Sequence, residues 1–484
     1  MRWLEALIHN HPLANVLFAL VLGLGVAGYL AMPREQDPEI NFNWVSIVTV
    51  LPGASAEDVE RLVTGPLEDS LKNLADLRFV TSTSRESVSS ILVRFRELNA
   101  ATFDKRVTDL RREIQAKANR DLPRDAEQPD VIEITTSNGF PTAQLLLLGQ
   151  ADDETLRYAA YQIKDDLERI AGVDQVVASG LRKPELRVEF DAARLASRSL
   201  TAADVADAVA AWFRDTSAGT ARTAGAEWIV RVVGAEADPD FLARIPVLRR
   251  GEAMPGVTLD AVAQVTRAGA KATQLSSSDG RPAISLAVNK KSYTNTIDLV
   301  ERLRSYIDTR NATLAPQGLK LVLTDDQTVP TTEAIRIMQN NALLGLLLVI
   351  LVCWAFLGTR IALLVGIGIP FSLAGTFALL YALGYTLNIS VLLGVVIALG
   401  MLVDDAVVVV EAIYYRVQRG AEALAASLEA LREVFAPVTS SVLTTLAAFL
   451  PLMLLPGIVG KFMFVIPFVV TLALLISLVE AFWM

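Results

Sequence analysis

The stretch Gly400-Met-Leu-Val-Asp404-Asp405-Ala-Val-Val-Val-Val-Glu411 sets two adjacent carboxylates inside the apolar run Leu387 to Val410. A bilayer core of about 30 Å takes roughly 20 apolar residues as a helix, so the run reads as a membrane span with its acids about a turn from the centre. Keeping a carboxylate ionised there is expensive, and such a pair must be neutralised or face a wet or charged interior. Neighbouring residues on a helix point about 100° apart, so one Asp can face a partner helix while the other faces a cavity or a second helix. Close like charges resist joint ionisation and burial opposes it further, so at least one of the two is expected to hold a proton, as a proton carrier must. The plainer reading, two interhelical hydrogen-bonders serving stability, is weaker, because a single Asn does that job more cheaply.

Five further runs have spanning length: approximately Leu13 to Met32, Ala334 to Leu357, Ile361 to Leu383, Phe435 to Leu455 and Phe462 to Met484. Over all 484 residues, 52% are apolar, 20% are charged and the mean hydropathy is +0.41, which excludes an all-soluble chain and a disordered one. Between the first two spans, roughly Pro33 to Glu333, the composition is that of a soluble protein. Cys353 is the only cysteine, so an intrachain disulfide or a Cys-rich metal site is ruled out. The first run follows Arg2 as a signal peptide would, but its length and the Met32-Pro33-Arg34 sequence after it favour a retained anchor.

Six spans put both termini on one side and the large segment on the other. Arg2, Arg360, Arg416, Arg419 and Arg432 fall on the terminal side, against Lys461 on the short opposite connections. The positive-inside rule therefore predicts cytoplasmic termini and an outside domain, in a Gram-negative cell a periplasmic one. The net charge of −9 arises from alternating acids and bases with no polybasic run, so no nucleic acid is expected as a partner.

The soluble segment reads as the same order of elements twice. Asn43 to Leu51 is β-rich, Pro52 and Gly53 end it, and Ser55 with Asp58 forms an N-cap pair for a helix through about Leu74. Strands Leu77 to Thr83 and Val88 to Phe95, a helix Thr102 to Asn119 and a strand near Val131 to Thr135 complete the split βαβ, ferredoxin-like pattern. A second copy starts with Ala143 to Leu148, helix Glu154 to Ala171 and Val173 to Ser179, and resumes with Ala283 to Asn289, helix Asn295 to Leu314 and Leu319 to Thr324. The insertion between, about Lys183 to Ala270, carries a helix (Thr201 to Arg214), a Gly-, Ala- and Thr-rich loop (Thr216 to Gly225) and strands near Trp228 to Val233 and Thr258 to Val265. It is either an exposed mobile tip or an arm that reaches a neighbouring subunit.

Around the acids, Gly394, Ala398 and Gly400 allow close helix approach. Thr439, Ser440, Ser441, Thr444 and Thr445 form a polar cluster in the fifth span, either bonding toward the acids or joining helix to helix, and Thr444 and Thr445 are accessory candidates. Glu411, seven residues after Asp404 and near the cytoplasmic boundary, is a proton exit or an interfacial acid. Pro370 and Pro467 can kink their helices. Glu480 lies close to the end of the sixth span and receives no role. His9 and His11 belong to a short amphipathic surface helix rather than a metal site, and no phosphate loop or nucleophile elbow appears, which leaves ATP-driven transport unsupported.

At this point the chain resembles the N-terminal half of the resistance-nodulation-division (RND) transporters, most closely their hydrophobe and drug efflux branch. The carriers are the opening helix with Pro12, the segment Leu51-Pro-Gly-Ala-Ser-Ala-Glu-Asp-Val-Glu60, the turn Phe356-Leu-Gly-Thr-Arg360 and above all Gly400 to Glu411. The paired aspartates favour the drug branch over the heavy-metal branch. The resemblance implies an α+β membrane protein, a six-helix half-bundle with a large periplasmic domain. Its divisions would be the N-terminal helix and first span (1–32), porter subdomains at 33–130 and at 131–182 with 271–332, a docking subdomain at 183–270, and the remaining spans at 333–484. It implies a proton antiporter of the bacterial inner membrane in which Asp404 and Asp405 load and release the proton. It implies further a homotrimer that meets a periplasmic adaptor and an outer-membrane channel, acts on hydrophobic small molecules, and needs no cofactor or metal beyond the proton gradient. Two departures stand out. The family has two homologous halves with about twelve spans and a membrane lysine from the second; no Lys occurs in the six runs here, so a C-terminal half is expected as partner, either as the rest of a longer protein of which this is a fragment, the favoured reading, or as a second polypeptide. The substrate strands Ala143 to Leu148 and Val173 to Ser179 also lack Phe, Tyr and Trp.

The resulting expectation is substrate/proton antiport by a secondary transporter, not an enzyme. A lipid- or protein-export relative of the same superfamily is the alternative. An intramembrane aspartyl protease is remote, because its two acids come from different helices and share one proton, whereas Asp404 and Asp405 are adjacent. A metal-dependent prenyl-transfer motif fails at Val408 and Val409, where further acids are needed.

Overall fold

The computed structural model describes residues 11–149, 153–223, 226–232, 234–248, 257–270 and 274–483. Helix α1 (His11–Ala31) leads into strand β1 (Asn41–Val50), whose residues alternate between buried and partly exposed, as a strand packed on one face must. The helical stretch 56–71 follows as α2, and Ser55 caps it: its hydroxyl accepts from Asp58 N (3.2 Å) and donates to Asp58 Oδ2 (2.8 Å). Strands β2 (Leu77–Arg85) and β3 (Val88–Phe95), helix α3 (Ala100–Asp121) and strand β4 (Asp130–Thr135) complete an antiparallel sheet of order β2-β3-β1-β4. Phe103, Val107, Leu110 and Ile114 recur at helical spacing and bury the inner face of α3 against Val45, Ile47, Ile91 and Val93.

The second unit repeats this topology. Strand β5 (Ala143–Gly149), helix α4 (Asp153–Glu168) and strand β6 (Val173–Ser179) come first, then an insertion opened by β7 (Pro184–Phe190). The insertion holds helix α5 (Ala202–Trp212), strands β8 (Thr216–Thr223) and β9 (Ala226–Val232), and β10 (Ala263–Gly269). Strands β11 (Ser276–Ser278) and β12 (Arg281–Lys290), helix α6 (Thr296–Leu314) and strand β13 (Leu319–Asp326) close the unit. Along the sheet the order is β6-β12-β5-β13, that of the first unit, with β11 sharing the β6 edge of β12.

The insertion leaves and re-enters where its ends already touch. A Cβ on Gly180, whose φ is +81°, would stand 3.3 Å from Ser276 Oγ, and β7 pairs with β10 in unbroken register from Pro184–Gly269 to Phe190–Ala263. Ends held together this way keep the loop-closure cost of a long insertion small. It has its own apolar core of Leu195, Val205, Leu242, Ile245, Leu259 and Val262. Two expectations are corrected: Thr216–Thr223 is a strand paired antiparallel with β9, not a loop, and Thr258 to Val265 is not one strand, because a 3-10 turn at Leu259–Ala261 separates Thr258 from β10. The recurring Thr of β8 suits a pleated ribbon, and small residues alone are an ambiguous loop signal. Gly225 and Val233 lie outside the described residues.

Helices α7 (Thr328–Leu357), α8 (Thr359–Ala382), α9 (Ile389–Gln418), α10 (Ala423–Met453) and α11 (Gly457–Trp483) join α1 in the apolar part, and these six have the length and composition of membrane spans. Three of them begin five or more residues before the apolar runs that mark them: α7 at Thr328, α10 at Ala423 and α11 at Gly457, so α11 takes in Lys461. Hydropathy marks depth in the bilayer, whereas hydrogen bonding sets helix ends. The Lys461 ammonium reaches Asn41 O at 2.6 Å and also Asn43 Oδ1, tying the start of α11 to β1. Half of the apolar window of α9 is buried, but only 6% of that of α7, which turns Leu343, Leu347 and Leu351 outward. Pro370 and Pro467 sit inside continuous helices. His9 lies outside the described residues, and His11 opens α1.

Candidate functional site

Helix α9 starts at a built cap. Asn388, 1% exposed, accepts Val391 N at 3.0 Å, and its amide donates to Thr386 O (3.2 Å) and Thr386 Oγ1 (3.0 Å). Thr386 in turn donates to the Glu35 carboxylate, which also receives Lys290 Nζ from the end of β12. Glu35 is 2% exposed and Lys290 4%. Burial pushes the Glu35 carboxyl above its ordinary range, and Lys290 and Thr386 offset this in part. Backbone bonds reinforce the joint, from Leu387 N to Pro33 O (2.8 Å), Ile389 N to Gln36 O (3.2 Å) and Thr296 N to Arg34 O (2.9 Å). The segment after α1, the α8–α9 connection and the second sheet unit therefore meet at one buried ion pair directly above the acid-bearing helix. Sequence reasoning missed Glu35, Lys290 and Thr386. Asn388 had a legible signal, a cap-forming residue just before an apolar run.

Further along α9, Gly394 packs on α11, where a Cβ would stand 2.9 Å from Val469 Cβ and 3.0 Å from Ile466 O. Ala398 is fully buried. These small residues bring α9 and α11 together. Asp405 is 6% exposed, and with Val349, Gly400, Ser441, Thr445 and Leu474 it lines a cavity of about 440 Å³ between α7, α9, α10 and α11. A Cβ at Gly400 would meet nothing within 4 Å, in keeping with its place on the cavity wall. The backbone of Asp404 is helical, and its side chain lies outside what the structure describes.

The accessory candidates are placed as follows. The Thr444 and Thr445 hydroxyls donate to the carbonyls four residues back, Ser440 O (2.8 Å) and Ser441 O (3.1 Å). Their protons are thus used within α10, while Thr445 keeps an oxygen on the cavity and Thr444 is exposed. Glu411 is exposed, two turns past the acids. Glu480, which the sequence left without a role, is 3% exposed and sits close enough to Asp405 for their charges to interact.

A family model described as the AcrB/AcrD/AcrF family matches residues 4–484. Among curated proteins, three named Multidrug resistance protein MdtC are similar to this chain. The one from Pantoea ananatis is 29% identical over 99% of the chain and 46% of its own length. That from Erwinia tasmaniensis is 28% identical over 96% and 45%, and that from Pectobacterium carotovorum 27% over 99% and 46%. The chain thus spans about half the length of the curated relatives it matches. With six apolar helices around a buried aspartate and a family match along nearly its whole length, the chain belongs to the AcrB/AcrD/AcrF family of resistance-nodulation-division efflux permeases.

Proposed function

We propose that this permease chain carries the proton-coupled part of a substrate/H⁺ antiporter, with Asp404 and Asp405 as the proton-loading pair. The observation that carries the reading is the Asp405 carboxylate, 6% exposed at membrane depth on the wall of a cavity it shares with Ser441 and Thr445. A carboxylate so placed is stable without charge and costly with it, so binding and losing a proton changes how α9 packs on its neighbours. The cap at Asn388 and the Glu35–Lys290 joint give that change a mechanical route to the sheet domain. The proton gradient supplies the differential free energy that biases the domain between access and release states, and no cofactor is required.

In this reading the chain sits in the bacterial inner membrane with its sheet domain in the periplasm, supported by the arginines clustered on one side of the spans. Residues 33–130 and 131–182 with 271–332 act as porter subdomains and 183–270 as the docking subdomain, supported by the repeated sheet order and the separately cored insertion. The complete pump is a homotrimer that includes a C-terminal half and works with a periplasmic adaptor and an outer-membrane channel. Its substrates are hydrophobic or amphipathic small molecules, in line with the multidrug-resistance names of the relatives. Asp404→Asn and Asp405→Asn in the complete pump, assayed for drug export and for protein level, should each abolish export while the protein is made and inserted. Wild-type export in both variants would end the reading.

A further inference from the structure

Helices α9 and α11 run in register. Ser477, fully buried on α11, donates to Leu402 O on α9 at 3.4 Å, a separation of 75 residues. One turn further along each helix, at the same separation, stand Asp405 and Glu480. Their carboxylates act on each other electrostatically across this interface. On its other side Glu480 lies against α8, where a Cβ on Gly368 would stand 2.3 Å from Glu480 Oε1. The missing side chain of Gly368 is therefore the space the carboxylate occupies.

Glu480 is 3% exposed, and among the described residues it has no hydrogen-bond donor and no cation. The ionisable residues of α8 are Arg360 and Tyr381, at its two ends, away from Gly368. Those of α10 are Glu429, Arg432 and Glu433, all exposed on its first turns, with Glu433 bonded to Arg416. Helix α9 offers Asp404 and Asp405 at this level and, beyond it, Glu411, Tyr414, Tyr415 and Arg416, the last bonded to Ala412 O and Glu433; α11 itself has otherwise only Lys461, at its far end. A carboxyl in such surroundings is retained as a neutral acid or as a transient anion.

We infer that Glu480 is a third proton-binding residue of this transporter, exchanging its proton with Asp405 across the α9–α11 interface. In the transfer the Glu480 O–H bond breaks, an O–H bond forms on the Asp405 carboxylate, and one negative charge passes from α9 to α11. Coupled carboxyls of this kind titrate as a unit, so the proton is held by the interface rather than by one helix. The inference rests on the antiport reading of Asp405.

The test uses the complete transporter reconstituted in liposomes, with proton flux and substrate export both measured across pH. Glu480→Gln should lower coupled proton flux by about a hundredfold, in the range that a positioned proton-transfer group contributes. It should also remove one protonated-carboxyl band from the infrared difference spectrum recorded on a pH jump. Glu480→Asp, which keeps a titratable group one methylene shorter, should restore part of the flux with a displaced pH profile, and this result stands even where the Gln variant fails to fold. If Asp405→Asn abolishes coupling while Glu480→Gln keeps wild-type flux, pH profile and infrared bands, Glu480 is a packing residue and this inference alone is lost. If both variants keep wild-type flux, the antiport reading itself is lost.

Discussion

Two acids in this molecule are buried to nearly the same depth and have opposite neighbours. Glu35, 2% exposed where α1 meets the sheet domain, is held by the Lys290 ammonium and the Thr386 hydroxyl. Glu480, 3% exposed near the end of α11, is met by Asp405 and by the bare backbone of Gly368. The first arrangement stabilises one charge state and so suits a fixed joint. The second destabilises any state in which both carboxyls are charged, so it suits a site that changes its protonation.

Removing one partner of the fixed pair is the strongest way to break the contrast. Lys290→Ala leaves Glu35 buried without its counter-charge and should destabilise the protein by about 3–5 kcal/mol. Thermal unfolding of the detergent-solubilised chain measures this. Replacing both at once, Glu35→Gln with Lys290→Met, should recover most of that loss. A double variant as unstable as the single one would show that the joint depends on the charges themselves.

Next in size is the interface that holds Asp405 and Glu480 together. Gly394→Ala pushes a methyl into Val469 and the Ile466 carbonyl, and should cost about 1–3 kcal/mol in the same assay. Gly400→Ala, six residues later and facing open space, should leave the unfolding temperature unchanged while narrowing the cavity beside Asp405, which a transport assay reads as slowed export. Equal destabilisation by the two would mean that the cavity wall is packed as tightly as the interface.

Smaller still is Ser477→Ala, which removes a long hydrogen bond to Leu402 and should cost about 0.5–1 kcal/mol. Because Ser477 sets the turn on which Glu480 meets Asp405, its loss should displace the pH profile of transport more than it changes stability. Thr444→Val should have the least effect of all, within about 0.5 kcal/mol and with export unchanged, because its hydroxyl bonds its own helix and faces outward. A large loss of export in Thr444→Val would move that residue into the proton pathway.

Much of this site is legible in the amino-acid sequence. Apolar run length marks a span in a single segment, and Asp404 and Asp405 stand out because a charge there has no local remedy. Glu480 is as visible as they are, yet the sequence leaves it ambiguous between an interfacial acid and a buried one. A lone acid within an apolar run fits both, and the choice depends on what α8 presents at that height. Glu35 and Lys290 are less legible still. They lie 255 residues apart in regions of ordinary soluble composition, and nothing local to either marks a partner.

By itself, then, the sequence determined the local quantities: six lengths of apolar helix, the repeated strand–helix order, the cap at Ser55, and the acid pair in one span. These follow from periodicity, capping and solvation, which act over a few residues. Only the tertiary structure decided which charges meet. The 75-residue register of α9 on α11, the glycine that makes room for Glu480 and the ion pair above α9 all arise from packing between distant segments, where burial and the neighbouring charge together set how each acid behaves.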